Sequence, residues 1–513
     1  MRPDDRARLT GPRVDAGGRA PYPRRIVTPS SARPFRSVAG ASAALLAILA
    51  CGAAAAPALA QRPALSATVR QYVAVDTDVV ALTHVRVIDG TGAPAREDQT
   101  LVVRDGRIAA LGPASSVRVP AGALVMDLAG KSVIPGLVMM HEHLFYPTGP
   151  MVYGNETWSF PRLYLAGGVT TMRTTGNTNG YGELATARAV DDGQLPGPWI
   201  DATGPYLQGA GNSFAQMYTL KDSADARRMV DFWADAGATS FKAYMNITRA
   251  ELGAAVADVH ARGMKITGHL CSVTYREAAD LGIDDLEHGF FVSTDFVKDK
   301  RPDVCPGQLA GMAALNRVDP AGPAFTALVD TLIAHHVAVT STLTVFETFT
   351  PGRPEPPGLD VLDPILKQQF ETQYRGLQRD TTSLFVSLFK KDMAMELRFA
   401  RAGGLLLAGT DPTGYGGVIP GFADQREVEL LVEAGFTPPE AIRICTLDGA
   451  TYLGIANRIG SLAVGKQADL VVVAGNPAAN VSDIRNVEMV FRQGVGYDPR
   501  KLVASVQGRV GLF

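Results

Sequence analysis

Between residues 133 and 455 the sequence alternates short runs rich in Val, Ile and Leu with longer amphipathic or Ala-rich stretches, and few folds accept that order. Eight runs read as strands: 133–140, 169–173, 199–203, 240–245, 265–269, 284–287, 337–343 and 405–409. Stretches such as 223–236 and 249–262 carry helical character between them. Strands separated by helical crossovers pair in parallel, and eight of them predict an α/β fold built as a (β/α)8 TIM barrel. The rival, an open doubly wound sheet, would carry a GxGxxG turn after an early strand, and none is present. Thr437-Pro438-Pro439-Glu440 is a capping box with proline in the first turn, and it predicts a helix over 441–453 that closes the segment.

The flanks have a different texture. Val-rich runs at 79–88, 100–111 and 124–128 are separated by Gly, Pro and Asp, and Asp105-Gly106 is a two-residue hairpin signal. Similar runs return at 469–474 and 487–492. The expectation is a small β-sandwich domain built from both chain ends, giving an N-terminal extension at 1–60, sandwich parts at 61–132 and 456–513, and the barrel at 133–455. The interval from His288 to Asp411 is longer than two βα units need. Its Pro- and Gly-rich stretches at 293–319 and 348–363 are candidate loops over the barrel mouth.

Residues 1–36 are rich in Arg and Pro, 38–49 are apolar, and Ala58-Leu59-Ala60 is a cleavage pattern, so an exported protein (periplasmic or secreted) is expected. The apolar run is short for a membrane span, and no integral span is expected in the mature chain. Arg24-Arg25 admits a twin-arginine signal and Cys51 a lipoprotein anchor. The formal charge is −2, but nine basic and three acidic residues lie in the first 60, which leaves 40 basic against 48 acidic residues beyond. With no basic block, nucleic acid is excluded as a partner. Cys271, Cys305 and Cys445 do not make a disulfide framework, and Cys271 reads as a small buried hydrophobe.

In a barrel, chemistry gathers where strands end. The first strand ends in His141-Glu142-His143, and side chains two apart on a strand share a face, so the two imidazoles project together while Glu142 points away. The fourth strand carries Lys242, the fifth ends at His269, the sixth is followed by His288 and the eighth by Asp411. Four of the eight histidines fall at such positions. Four imidazoles and a carboxylate suit two divalent ions if an anion bridges them. A lysine carbamate, formed with CO2, is such an anion; taken alone, Lys242 reads more readily as a strand-end lysine reaching solvent.

The stretches VIPGLVMMHEHL, GVTTMRTTG, FKAYM, ITGHL, DLEHG, LLAGTD, FTPPEAIRICTLDGATYLGI and GSLAVGKQADLVVV span most of residues 80–475. In this order they resemble the amidohydrolase superfamily, in its binuclear branch with a carboxylated lysine, near the imidazolonepropionase-like and prolidase-like metallopeptidases. The resemblance implies two divalent ions, with zinc the expected metal. His141, His143 and Asp411 would hold one ion, His269 and His288 the other, and N6-carboxylated Lys242 would bridge them with a hydroxide that attacks the scissile carbonyl. Asp411 would carry the proton to the leaving amine. Tyr244 shares the inward face of Lys242 and reads either as a donor to the developing oxyanion or as a packing residue. Arg173 and Arg426 read either as clamps for a substrate carboxylate or as structural ion-pair partners.

The function expected is therefore an exported metal-dependent amidohydrolase that cleaves an amide C–N bond in a peptide or N-acyl amino acid. The alternatives are a lactonase or esterase on the same site and, from another class, a non-catalytic metal-binding protein. Substrates are expected to be small molecules or short peptides, and homo-oligomer formation is open.

Overall fold

The computed structural model describes residues 63–211 and 214–512. The expected export signal, Arg24-Arg25 and Cys51 lie outside the described residues. Eight parallel strands are β1 (Leu137–Glu142), β2 (Val169–Thr174), β3 (Trp199–Ala202), β4 (Ser240–Met245), β5 (Lys265–Leu270), β6 (Asp285–Glu287), β7 (Ala338–Ser341) and β8 (Leu406–Ala408). They form two runs. One is ordered β3-β2-β1; the other begins with a two-residue strand, Leu207–Gln208, and continues β4-β5-β6-β7-β8. The runs meet at both ends. Thr203 bridges Ser240 in parallel. Just beyond β8, the N–H groups of Thr410 and Asp411 both donate to the His141 carbonyl at 3.1 and 3.0 Å.

Helices lie between the strands as the sequence periodicity requires. Ser223–Ala236 starts at an Asp222 cap and stops at Gly237, which adopts φ 109°. Arg249–Ala261 begins with a Thr248/Glu251 capping box. The Thr437/Glu440 box is also formed, but its helix (Pro438–Arg443) passes into a π-turn at Ile444–Asp448 before Gly449–Tyr452.

Strands from both ends of the chain join one nine-stranded mixed sheet, in which Lys131–Pro135 pairs antiparallel with Leu470–Ala474. Alternation sorts the side chains of that last strand. Val471 and Val473 join the main core, while Leu470 and Val472 pack with Val80, Leu82 and Phe491 in a second cluster on the opposite face. The Asp105-Gly106 hairpin forms with both residues at positive φ (50° and 75°), pairing Arg104 with Arg107.

Two expectations are corrected. The run 133–140 is not one strand. It divides at Gly136, with Lys131–Pro135 in the mixed sheet and β1 in the parallel run. The expected boundary at 132/133 therefore falls inside a strand. A Cβ at residue 136 would lie 2.1 Å from Thr170 Oγ1, so only glycine allows the crossing. The second correction is a disulfide between Cys271 and Cys305, Cα atoms 4.8 Å apart. It fastens the segment after β6 to the end of β5, and only Cys445 remains free and buried among the described cysteines. Among the described residues no helix is long and apolar enough to cross a membrane.

Candidate metal centre

β1 delivers His141 and His143 to one place, as the alternation of a strand requires. His141 Nε2 lies 3.6 Å and His143 Nε2 3.1 Å from the same oxygen, Asp411 Oδ1. The distal nitrogens are both spoken for: His141 Nδ1 is 2.6 Å from Glu287 Oε2, and His143 Nδ1 is 3.2 Å from the Gly176 carbonyl. Each Nδ1 meets an acceptor and therefore carries the proton, so each Nε2 turns a lone pair toward the site. Burial, and then the Lys242 charge, hold the His141 ring well below its ordinary pKa; burial likewise lowers His143. Two neutral imidazole lone pairs and a carboxylate oxygen then face one another, with the Lys242 amine beside them, and such N,N,O donors suit a transition metal.

His288 completes the group. His141, His288 and Asp411 each offer a ligand atom within 4.8 Å of the others. His288 Nδ1 bonds Thr342 Oγ1 at 2.9 Å and stands 3.8 Å from Asp411 Oδ2, while its Nε2 is buried without a partner. His269 sits beside it, ring centroids 4.4 Å apart, and burial with the nearby Lys242 charge takes its pKa down to about 3. The two-and-three division expected from the resemblance is thus looser here, because His288 lies as close to the first group as to His269. Both His288 (φ 71°) and Asp411 (φ 52°) adopt left-handed backbone, an uncommon conformation that concentrates at functional sites.

Lys242 on β4 is 1% exposed, with Nζ 3.1 Å from His141 Nε2. Burial brings its pKa down to about 8, despite the opposing pull of Glu287 and Asp411. About a tenth of such an amine is neutral at pH 7. The solvent-reaching alternative for Lys242 is therefore gone. The Tyr206 and Tyr244 rings lie 5.6 and 5.9 Å from Nζ, and Tyr244 also packs against His269 at 5.0 Å. Burial, then Asp411, raise the Tyr244 phenol, so its proton stays in place for donation.

Arg173 and Arg426 are the corrections. Arg173 is buried, and its guanidinium bonds Asp285 (2.5 Å), Glu287 (2.8 Å) and the Met140 carbonyl (2.8 Å). Arg426 is held by Glu347 through two bonds of 2.7 and 2.9 Å and by Glu429 at 2.6 Å. Both guanidinium groups are engaged within the protein, which removes the substrate clamp. Glu142 grips the far side of the site: its carboxylate accepts from the Thr410 N–H at 2.9 Å and from the Thr410 hydroxyl, fixing the backbone next to Asp411.

Sequence reasoning missed Glu287, Thr342 and Tyr206. The signal for Glu287 was its place in Asp-Leu-Glu-His; nothing in the sequence pointed to Tyr206.

Residues 392–496 match the model of the amidohydrolase family. An enamidase of Eubacterium barkeri is 36% identical over 85 residues, 17% of this chain and 22% of that protein, so the chain spans about a fifth of this curated relative. Among solved structures, a candidate prolidase from Bifidobacterium longum superposes with a TM-score of 0.62 at 24% identity, over 84% of this chain and 99% of that one. A Xaa-Pro dipeptidase with bound methionine gives 0.62 at 19% identity, over 82% and 100%. At these identities the likeness establishes an α/β fold of the TIM-barrel type.

Proposed function

Taking the chain as a member of the amidohydrolase superfamily, we propose that it is an exported, metal-dependent hydrolase of amide C–N bonds in small molecules or short peptides. The observation that carries this reading is the convergence of His141 Nε2, His143 Nε2 and Asp411 Oδ1 beside a buried, weakly basic lysine. We read the two parallel runs as one closed (β/α)8 barrel, with the site at its C-terminal mouth and the mixed sheet as the expected sandwich.

His141, His143, His269, His288 and Asp411 would hold two divalent ions, zinc by the donor chemistry. Ions so placed supply an acidified water and a polarised carbonyl. Lys242 would join as a carbamate: its neutral amine adds to the carbon of CO2 and releases a proton. That exchanges a cation, which repels metals, for an anion with two oxygens. Asp411 takes the proton from the attacking water and hands it to the departing amine as the C–N bond breaks. Tyr244 would donate its hydroxyl proton in a hydrogen bond to the carbonyl oxygen as charge develops there. The Cys271–Cys305 disulfide supports export, since such bonds persist in oxidising compartments.

The test is metal analysis of the purified chain together with Lys242→Ala. About two ions per chain are expected in the wild type. The variant should lose activity toward N-acyl amino acids and dipeptides and recover part of it with added metal and a short carboxylic acid. Full activity in Lys242→Ala would refute the bridge.

A further inference from the structure

A cavity of about 100 Å³ opens beside His269. Its walls are mostly apolar: Met245 at the end of β4, Phe291, Phe346 and Phe349 from the helix Leu343–Phe349, Phe385, and Met312 from the helix Gln308–Leu315; Thr294 and Gln308, both uncharged, are the polar lining besides His269. The aromatic rings are ordered. Phe291 and Phe346 stack at 3.8 Å with 6° between planes, Phe349 and Phe385 at 5.3 Å with 17°. Phe346 reaches His288 edge-on at 5.8 Å, so the wall runs on from the metal ligands. No Asp, Glu, Lys or Arg lines the cavity among the described residues.

From this geometry we infer that the cavity receives an uncharged, apolar group of the substrate, about the size of one branched aliphatic or phenyl side chain, attached close to the scissile amide. The inference rests on the hydrolase reading for the word substrate, and names which amides that site takes. An ammonium or carboxylate entering this space would lose hydration with no side chain of opposite charge to replace it. A hydrocarbon group gains from burial and from the ordered ring faces. A space of this volume is smaller than the roughly 150 Å³ apolar cavity that admits benzene in an engineered protein, so only one such group fits, with slight adjustment.

The outer wall is pinned. Cys271 lines the cavity two residues after His269, and its disulfide to Cys305 anchors the chain just before the helix that carries Gly311 and Met312. Pocket shape and ligand position are thereby tied to the same strand, β5. Gly311 is a lining residue with room to grow: a Cβ there would meet only Ser293 O at 3.7 Å and Thr294 Cγ2 at 3.8 Å, ordinary contacts.

The experiment uses the metal-loaded full chain, wild type and Gly311→Leu, with Gly311→Ala as a milder filling. Substitution of a helical glycine favours the helix, and equal melting temperatures confirm folding. The substrates are N-acylglycines bearing acetyl, isovaleryl, phenylacetyl and succinyl groups, and N-acetyl derivatives of Gly, Leu, Phe, Asp and Lys. In the wild type, kcat/KM for the best apolar group should exceed that for its small or charged counterpart by at least tenfold. That ratio should fall at least tenfold in Gly311→Leu. In parallel, fluorobenzene binding is followed by fluorine NMR; binding to the wild type and loss in Gly311→Leu is expected. Hydrolysis without apolar preference, a ratio unmoved by Gly311→Leu, or no fluorobenzene binding would overturn the inference. Fluorobenzene binding lost in Gly311→Leu, with no amide cleaved by either protein, would sink the hydrolase reading while supporting the cavity's selectivity.

Discussion

Replacing Arg173 separates two roles that the sequence left open. Its guanidinium lies between Asp285 and Glu287, both fully buried, at 2.5 and 2.8 Å. Arg173→Met keeps the length and most of the volume but strands two carboxylates in the core. Removing one partner of a buried pair costs about 3–5 kcal/mol, because the remaining charge has neither water nor partner. Protonation limits the loss. Burial, then the neighbouring Glu287 charge, already push the Asp285 carboxyl up to about 7 with Arg173 in place. Without the guanidinium it moves higher still, and Asp285 takes up a proton at neutral pH. Thr340 Oγ1, 2.8 Å from Asp285, remains as a partner. The expected loss at pH 7.5 is therefore at the lower end, about 3 kcal/mol.

The pH dependence has a definite sign. A carboxyl with a raised folded pKa adds stability that is complete below its unfolded value, about 3.9, and lost as pH rises through the folded one. For the wild type that window runs from about 4 to about 7; in Arg173→Met it extends upward. The gap between the two proteins should therefore widen as pH rises from 6 to 8, in urea denaturation of the metal-free proteins. Arg173→Lys should recover only part of the loss, since an ammonium lacks the planar fork. Wild-type stability in Arg173→Met, with only a raised KM, would refute this account and restore the substrate clamp.

Two further predictions concern the surroundings of the site. Glu287→Gln keeps the shape beside His141 Nδ1 but removes the charge that fixes its tautomer, so metal affinity should fall 10- to 100-fold, measured by chelator competition. The Cys271–Cys305 bond closes a loop with a sequence separation of 34, for which chain entropy gives about 3–4 kcal/mol; reductant should lower the denaturation midpoint of the wild type and leave that of Cys305→Ser unmoved.

Much of the architecture could be read from the sequence because buried parallel strands leave continuous apolar runs, and seven of the eight expected runs overlap their strands closely. The first run was misread for a local reason. Val, Ile and Met continue on both sides of Pro135-Gly136, so hydrophobicity alone runs the two strands together; the Pro-Gly pair was the break signal, and a Cβ at residue 136 would clash with Thr170. The candidate ligands stood out because polar residues at the ends of apolar runs are rare and need a reason. Arg173 did not reveal its fate. An arginine inside a strand can face either a ligand or a carboxylate, and the deciding residues, Asp285 and Glu287, lie more than 110 positions away. The disulfide was missed for a similar reason: three cysteines carry no pairing information, and Cys271 meets Cys305 only because the chain folds back over the end of β5.

Hydrogen bonds at the strand ends explain how left-handed backbone persists at His288 and Asp411. Each strained residue follows a strand whose end is tied to its neighbours. Gly289 N donates to the Thr340 carbonyl at 2.9 Å, while Tyr275 Oη donates to the carbonyls of Glu287 and Gly289, both at 3.0 Å, so His288 is held from both sides. Asp411 is held by its own N–H on the His141 carbonyl and by Glu142 on Thr410. Beneath them a continuous set of bonds runs from His141 through Glu287 to Arg173, Asp285 and Thr340, joining β1, β2, β6 and β7. Every charge in that set has an opposite partner or a hydroxyl, which is what makes its burial tolerable. The imidazoles are therefore aimed by the protein's own hydrogen bonds, and the convergence of their Nε2 atoms on Asp411 rests on the rigidity of the strands below it.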